Sequence, residues 1–98
     1  REMHEDALEI RRAVFGPDHP EVAQSHSNLA TACYELQDDA GTQENYEKSL
    51  RILEAHLDTS SASYEQTAND YIAVLESIDE QRKADALKKR VAKLLKRD

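Results

Sequence analysis

The residues of this chain with the side chains for chemistry are four histidines (His4, His19, His26 and His56), a single cysteine (Cys33) and the punctuated stretch FGPDHPEVA at 15–23. A metal centre calls for ligands at a short repeated spacing, such as HExxH or paired cysteines, and the sequence has neither. The histidines are scattered, and no Ser, Cys or carboxylate stands beside one in a recognisable pairing of nucleophile and base. His26 falls on an apolar stripe and reads as a satisfied core residue; Cys33 reads as a small buried hydrophobe. One cysteine excludes an internal disulfide and fits a reducing, cytoplasmic setting. The expectation is no catalysis, no metal and no cofactor.

FGPDHPEVA has two readings, a ligand loop or a hinge between helices. A ligand loop needs partners for Asp18 and His19, and no glycine-rich phosphate cradle is nearby. A hinge accounts for each residue in turn. Gly16 supplies the left-handed backbone that ends a helix, and Pro17 cannot continue one. His19 stands at or beside the N-cap, Pro20 fits the first turn, and Glu21 faces the positive end of the helix dipole. The hinge is preferred.

Composition indicates what must flank the hinge. Gly16, Gly41, Pro17 and Pro20 are the only strong breakers among 98 residues rich in Ala, Leu, Glu, Lys and Arg, which is too little turn chemistry for a many-stranded sheet. The net charge of −7 argues against nucleic acid or an anionic membrane as the main partner. Residues 80–98 nevertheless hold eight basic side chains against three acidic ones, a basic tail on an acidic body. No apolar run is long enough to span a membrane, and REMHEDALEI is too polar for a signal peptide. The helical pattern is already under way at Arg1, so a segment of a longer protein is expected.

The chain repeats itself at an offset of 42 residues. ALEIRRAVFG at 7–16 aligns with SLRILEAHLD at 49–58, matching Leu8 to Leu50, Ile10 to Ile52 and Phe15 to Leu57. Val22, His26, Leu29, Cys33 and Leu36 fall on Tyr64, Ala68, Tyr71, Leu75 and Ile78, and Ile52 falls on Leu94. These positions advance by four and three, the spacing of one helix face. Five helices are predicted, over about 2–16, 20–37, 42–58, 61–79 and 81–97, with links short enough to make neighbours antiparallel. On the last, Ala84, Leu87, Val91, Leu94 and Leu95 form the inner stripe of a capping helix.

ALEIRRAVFGPDHPEVAQSHSNLA resembles the 42-residue tetratricopeptide repeat of the kinesin light chain type. Leu29 and Ala30 match the family's small pair and Tyr46 its large helix B residue. Departures are Cys33 for Tyr, Thr42 and Ser49 for packing alanines, Tyr71 and Ile72 for the second small pair, and LDTSSAS at 57–63 for the second hinge. The resemblance implies an all-α fold of antiparallel helix-turn-helix repeats stacked as a short right-handed superhelical solenoid, at the C-terminal part of an array. Residues 1–18 would be helix B of a truncated repeat, 19–60 a full repeat, and 61–98 a degenerate terminal repeat with a basic capping helix.

The same resemblance places function on the concave face lined by helix A of each repeat. The matching groove positions are Gln24, Ser27, Asn28, Thr31, Tyr34 and Glu35 in one unit, then Gln66, Asn69, Ala73 and Glu76 in the next. Asn69 stands where kinesin light chains hold the main chain of a bound peptide, and an amide has both the donor and the acceptor for that task. Neither 20–37 nor 61–79 contains a Lys or Arg, so an acidic motif or carboxylate terminus finds no charge-assisted grip there. A scaffold or adaptor module holding a neutral or basic peptide is expected, with no membrane or nucleic-acid partner. The alternative is a structural cap or self-association segment, with a homodimer formed through apolar surface at Met3, Leu8 and Phe15 on the first helix.

Overall fold

A computed structural model of the chain describes residues 2–16 and 18–96. It contains five helices: α1 (Glu2–Phe15), α2 (Pro20–Glu35), α3 (Asp39–Glu54), α4 (Leu57–Ser77) and α5 (Gln81–Leu94). There is no strand among the described residues; Pro17 and the side chains of Met3 and His4 lie outside them. Each helix packs on the next in chain order, and α2 also meets α4. The resulting slab measures 38 × 33 × 14 Å, a depth that fits two layers of helices at their usual spacing of about 8–10 Å. This is the all-α repeat solenoid expected from the periodicity.

The hinge forms as its residue types require. Gly16 adopts φ 89°, and its N–H donates to the carbonyl of Arg12 at 2.9 Å. His19 is the N-cap of α2: its Nδ1 accepts from the Glu21 N–H at 3.0 Å, while its ring stacks on Phe15 at 4.6 Å. Pro20 then opens the helix without forfeiting a bond.

Several boundaries differ from the periodic reading, the ends of α3 and α5, at Glu54 and Leu94, among them. α3 begins at Asp39 rather than near 42, because Asp38 caps it by accepting from the Gly41 N–H at 3.0 Å. Gly41 therefore sits inside the helix; a Cβ there would collide with the Asp38 carboxylate and stand 2.9 Å from Cys33 Sγ. α4 begins at Leu57 rather than 61, since LDTSSAS winds into a short helical turn joined to the main helix across a kink at Ser60 (φ −126°, ψ 22°). α2 and α4 also stop earlier than 37 and 79, at turns where Gln37 (φ 60°) and Asp79 (φ 64°) go left-handed at positions one repeat apart. In each turn an N–H reaches back to close the helix, Asp38 to Cys33 O and Glu80 to Leu75 O, both at 2.8 Å.

The core is the predicted stripe with two losses. Val22, Leu29, Cys33, Leu50, Leu53, Tyr64, Ala68, Tyr71, Leu75, Ala84, Leu87 and Val91 are buried. Burying a residue such as Leu50 contributes roughly 1.5–3 kcal/mol. Leu36 is 64% exposed because it is the C-cap of α2, beyond the packed face, and Leu94, the last residue of α5, is also exposed. Tyr71, where the second small residue was lost, is accommodated by stacking on Tyr46 at 4.9 Å. Polar replacements in α3 are satisfied: Thr42 donates to Asp38 O at 2.8 Å and Ser49 to Ala23 O at 2.9 Å.

Part of the split of charge along the chain is met by contacts between the basic segment and the body, through Lys88 and Arg90. Arg90 on α5 donates through Nε to Glu54 at 2.6 Å and through Nη1 to Glu47 at 3.2 Å, joining it to α3. The same Glu54 oxygen accepts from the Tyr64 hydroxyl at 2.8 Å, so one carboxylate ties α3 to α4 and α5.

On α1 the apolar face is rotated from the expected one. Leu8 is half-buried against the core, whereas Ile10, Val14 and Phe15 are the large apolar residues exposed among the described side chains of α1. Ile10 is 65% exposed, although its equivalent Ile52 is only 8% exposed. Ile52 lies in a cleft shared with Arg12 and Asp18 of the preceding unit, and Ile10 has no such neighbour among the described residues.

Candidate functional site

Two cavities follow the boundary where α2 meets α4. The smaller, about 140 Å³, is lined by Pro20, Glu21, Gln24, Leu53, Ser63 and Thr67. The larger, about 570 Å³, lies at the other end of the helices between Tyr34, Glu35, Gln37, Asp39, Ser77 and Ile78. The Tyr34 hydroxyl is hydrogen-bonded to the Ser77 hydroxyl and bridges the two helices at that end. Glu35 and Asp39 make the larger cavity acidic, and neither α2 nor α4 carries a Lys or Arg to offset them.

The expected groove residues divide into three groups. Gln24, Tyr34 and Glu35 line the cavities, and Thr31 is exposed on the same helix with its hydroxyl donating to Ser27 O at 3.1 Å. Gln24 donates to half-buried Asn28 at 3.2 Å, which fixes one amide by another. Ser27 is turned toward α3, with its hydroxyl 2.8 Å from that of Ser49. On α4, Gln66, Asn69 and Ala73 are exposed but line neither cavity. Glu76 is directed to α5, where its carboxylate accepts from Lys88 at 3.0 Å.

Residues of α4 outside the expected set complete the boundary. Ser63, Thr67 and Ser77 line it from α4, and the Asp70 charge helps to raise the pKa of Tyr46, after the larger effect of burial. Positions 63, 67, 70 and 77 share one face of α4, and Asp70 and Ser77 are the 42-residue counterparts of the groove positions Asn28 and Glu35. The offset was therefore a usable signal, and the kink at Ser60 leaves its phase unchanged, since Tyr64, Ala68, Tyr71 and Leu75 are buried as it requires.

His26 and Cys33 take the structural roles expected of them. Both are buried, and His26 Nδ1 lies 3.2 Å from Asn45 Oδ1. No group of three or more metal-ligating side chains occurs among the described residues, and no described helix is long and apolar enough to cross a membrane.

Stacked antiparallel helix pairs with a polar seam between the first helices of successive pairs define a helical repeat module that presents surface to other proteins. The family is shown directly: a sequence model of the tetratricopeptide repeat matches residues 1–55, more than half of the chain, which belongs to that family. No curated protein and no solved structure matches the chain. Tetratricopeptide repeats are in general non-catalytic modules for protein–protein interaction.

Proposed function

We propose that the chain is a scaffold or adaptor module that holds a neutral or basic peptide along the α2–α4 boundary. The observation that carries this reading is the acidic cavity at Tyr34, Glu35, Asp39 and Ser77, where α2 and α4, which carry no Lys or Arg, meet the start of α3. A Lys or Arg side chain from a peptide gains charge-assisted bonds to Glu35 and Asp39, whereas an acidic side chain is repelled. Asn69, exposed on α4, has the amide to bond an extended main chain. The 42-residue period and the GPDHPEVA hinge support membership of the kinesin light chain type, in the C-terminal part of an array.

Calorimetric titration with matched peptides that differ only in Lys, Ala or Glu at one position tests the reading. The lysine peptide should bind the most tightly, and Glu35→Lys should reverse the order. Equal affinity for all three peptides, or affinity untouched by both Glu35→Lys and Asn69→Ala, refutes it. A second reading, self-association through α1, rests on exposed Ile10, Val14 and Phe15. Sedimentation mass that doubles with concentration, and reverts in Ile10→Glu, supports that reading instead.

A further inference from the structure

A third cavity, of about 280 Å³, opens where α1, the hinge, α2 and α3 meet, and no residue of α4 lines it. Its lining is Arg12, Asp18, His26, Lys48, Arg51 and Ile52, so three of six residues are cations in a chain of net charge −7. Arg12 and Arg51 have no ion pair among the described residues. Among the described residues, Lys48 is paired with Glu44, one turn back on its own helix at 3.3 Å in an exposed pair. Asp18 is the one carboxylate of the lining, and its main-chain oxygen is occupied by His56 Nε2 at 2.9 Å.

Repeat symmetry shows what such a junction normally contains. Shifted by 42 residues, Arg12 falls on Glu54, Lys48 on Arg90 and Arg51 on Lys93. At the second junction the acid neutralises the base, Glu54 accepting from Arg90 at 2.6 Å. At the first junction the acid is replaced by Arg12, and cation faces cation. The two helices still bring these positions to one cavity, so the place filled by a carboxylate one repeat later holds a guanidinium, and Asp18 is the one carboxylate set against three cations in the lining. Two guanidiniums without an ion pair among the described residues, and an ammonium, at one opening form a donor set suited to a doubly charged tetrahedral anion. Burial chiefly holds the His26 ring below its ordinary pKa of 6.5; Lys48 and Arg12 add to the lowering, while the Asn45 hydrogen bond and the Glu44 charge oppose it.

We infer that this cavity is a binding site for a phosphate group, which supplies the negative charge that Glu54 supplies at the following junction. The chemistry is shared by free phosphate and a phosphorylated side chain of a protein partner. Affinity separates them.

The test is a titration of the 98-residue chain at constant ionic strength, followed by NMR. One arm uses inorganic phosphate and the other a short peptide containing phosphoserine. Saturable shifts are expected at Arg12, His26, Lys48 and Arg51, together with a rise in the His26 titration midpoint, because the anion offsets the local field. Tighter binding of the phosphopeptide identifies a protein source; equal binding identifies the free ion. Arg51→Gln should weaken binding about tenfold, the worth of one charge-assisted bond. Arg12→Glu, which copies the acid of the second junction, should abolish saturation while helix content by circular dichroism is retained. Lys83→Gln, a cation outside the cavity, should leave binding unchanged. Saturable binding in Arg12→Glu and Arg51→Gln equal to that of the unmutated chain overturns the inference, as do shifts spread evenly over α5.

Discussion

Ile10 and Ile52 allow one substitution to be made twice, at equivalent positions with opposite surroundings. They stand 42 residues apart on helices of the same kind, yet Ile52 is 8% exposed and Ile10 65%. At Ile52, truncation to Ala removes buried carbon and leaves a cavity, a cost of about 2–5 kcal/mol. At Ile10 the lost contact is small, and the better helix propensity of Ala offsets part of it, so the change should lie within about 0.5 kcal/mol of zero. For a domain of this size each kcal/mol moves the melting temperature by about 4–8 °C. Ile52→Ala should therefore melt at least about 8 °C lower than the unmutated chain, while Ile10→Ala stays within about 4 °C of it. The assay is thermal unfolding followed by circular dichroism at low protein concentration, where self-association cannot mask the end of the slab. Equal losses in the two variants would refute the claim that the repeat buries its isoleucine only when a preceding unit covers it.

Four further outcomes follow from the geometry. Leu29→Ala, at a buried core position, should cost about 2–5 kcal/mol by chemical denaturation. Gly41→Ala should also lower the denaturation midpoint, because the added carbon meets the Asp38 cap and the Cys33 sulfur. Asp79→Gly relieves a left-handed non-glycine residue and should raise stability by up to about 1 kcal/mol in the same assay. Stability should fall at both ends of the pH range. Tyr71 is pushed up to about 12 by burial, so the folded state keeps a proton that the unfolded state loses near 10, and stability drops as pH rises from there. His26, lowered chiefly by burial, gives stability that is present above 6.5 and lost as pH falls through its folded value; His26→Gln should flatten the acid limb of a pH series of melts.

The parts of the fold legible in the sequence were those written in local chemistry. Gly16, His19 and Pro20 each have one task that the residue type nearly dictates, and the structure gives each that task. The apolar stripe likewise follows from spacing, except at helix ends, where Leu36 and Leu94 pass beyond the packed face, and on α1, where Ile10 is uncovered. Contacts between distant charges were not legible, because Arg90 looks like any solvated cation of an amphipathic helix until Glu54 and Glu47 stand beside it. Glu76 and Ser27 matched groove positions by offset, yet Lys88 and Ser49 draw their side chains elsewhere. A left-handed turn at Gln37 and Asp79 carries no glycine to announce it. The repeat offset could have revealed the first junction's excess of cations, since Arg12 and Glu54 align without any coordinates.

Because each helix leans mainly on its neighbours in chain order, no single layer encloses the rest. Such a molecule should come apart from its tips, like a short stack of cards slipping from either side, while α3, flanked by α2 and α4, is the last to let go. Damage near α1 or α5 then stays where it began, and a surface spread over α2 and α4 keeps its shape through fraying that would ruin a globule with one shared centre.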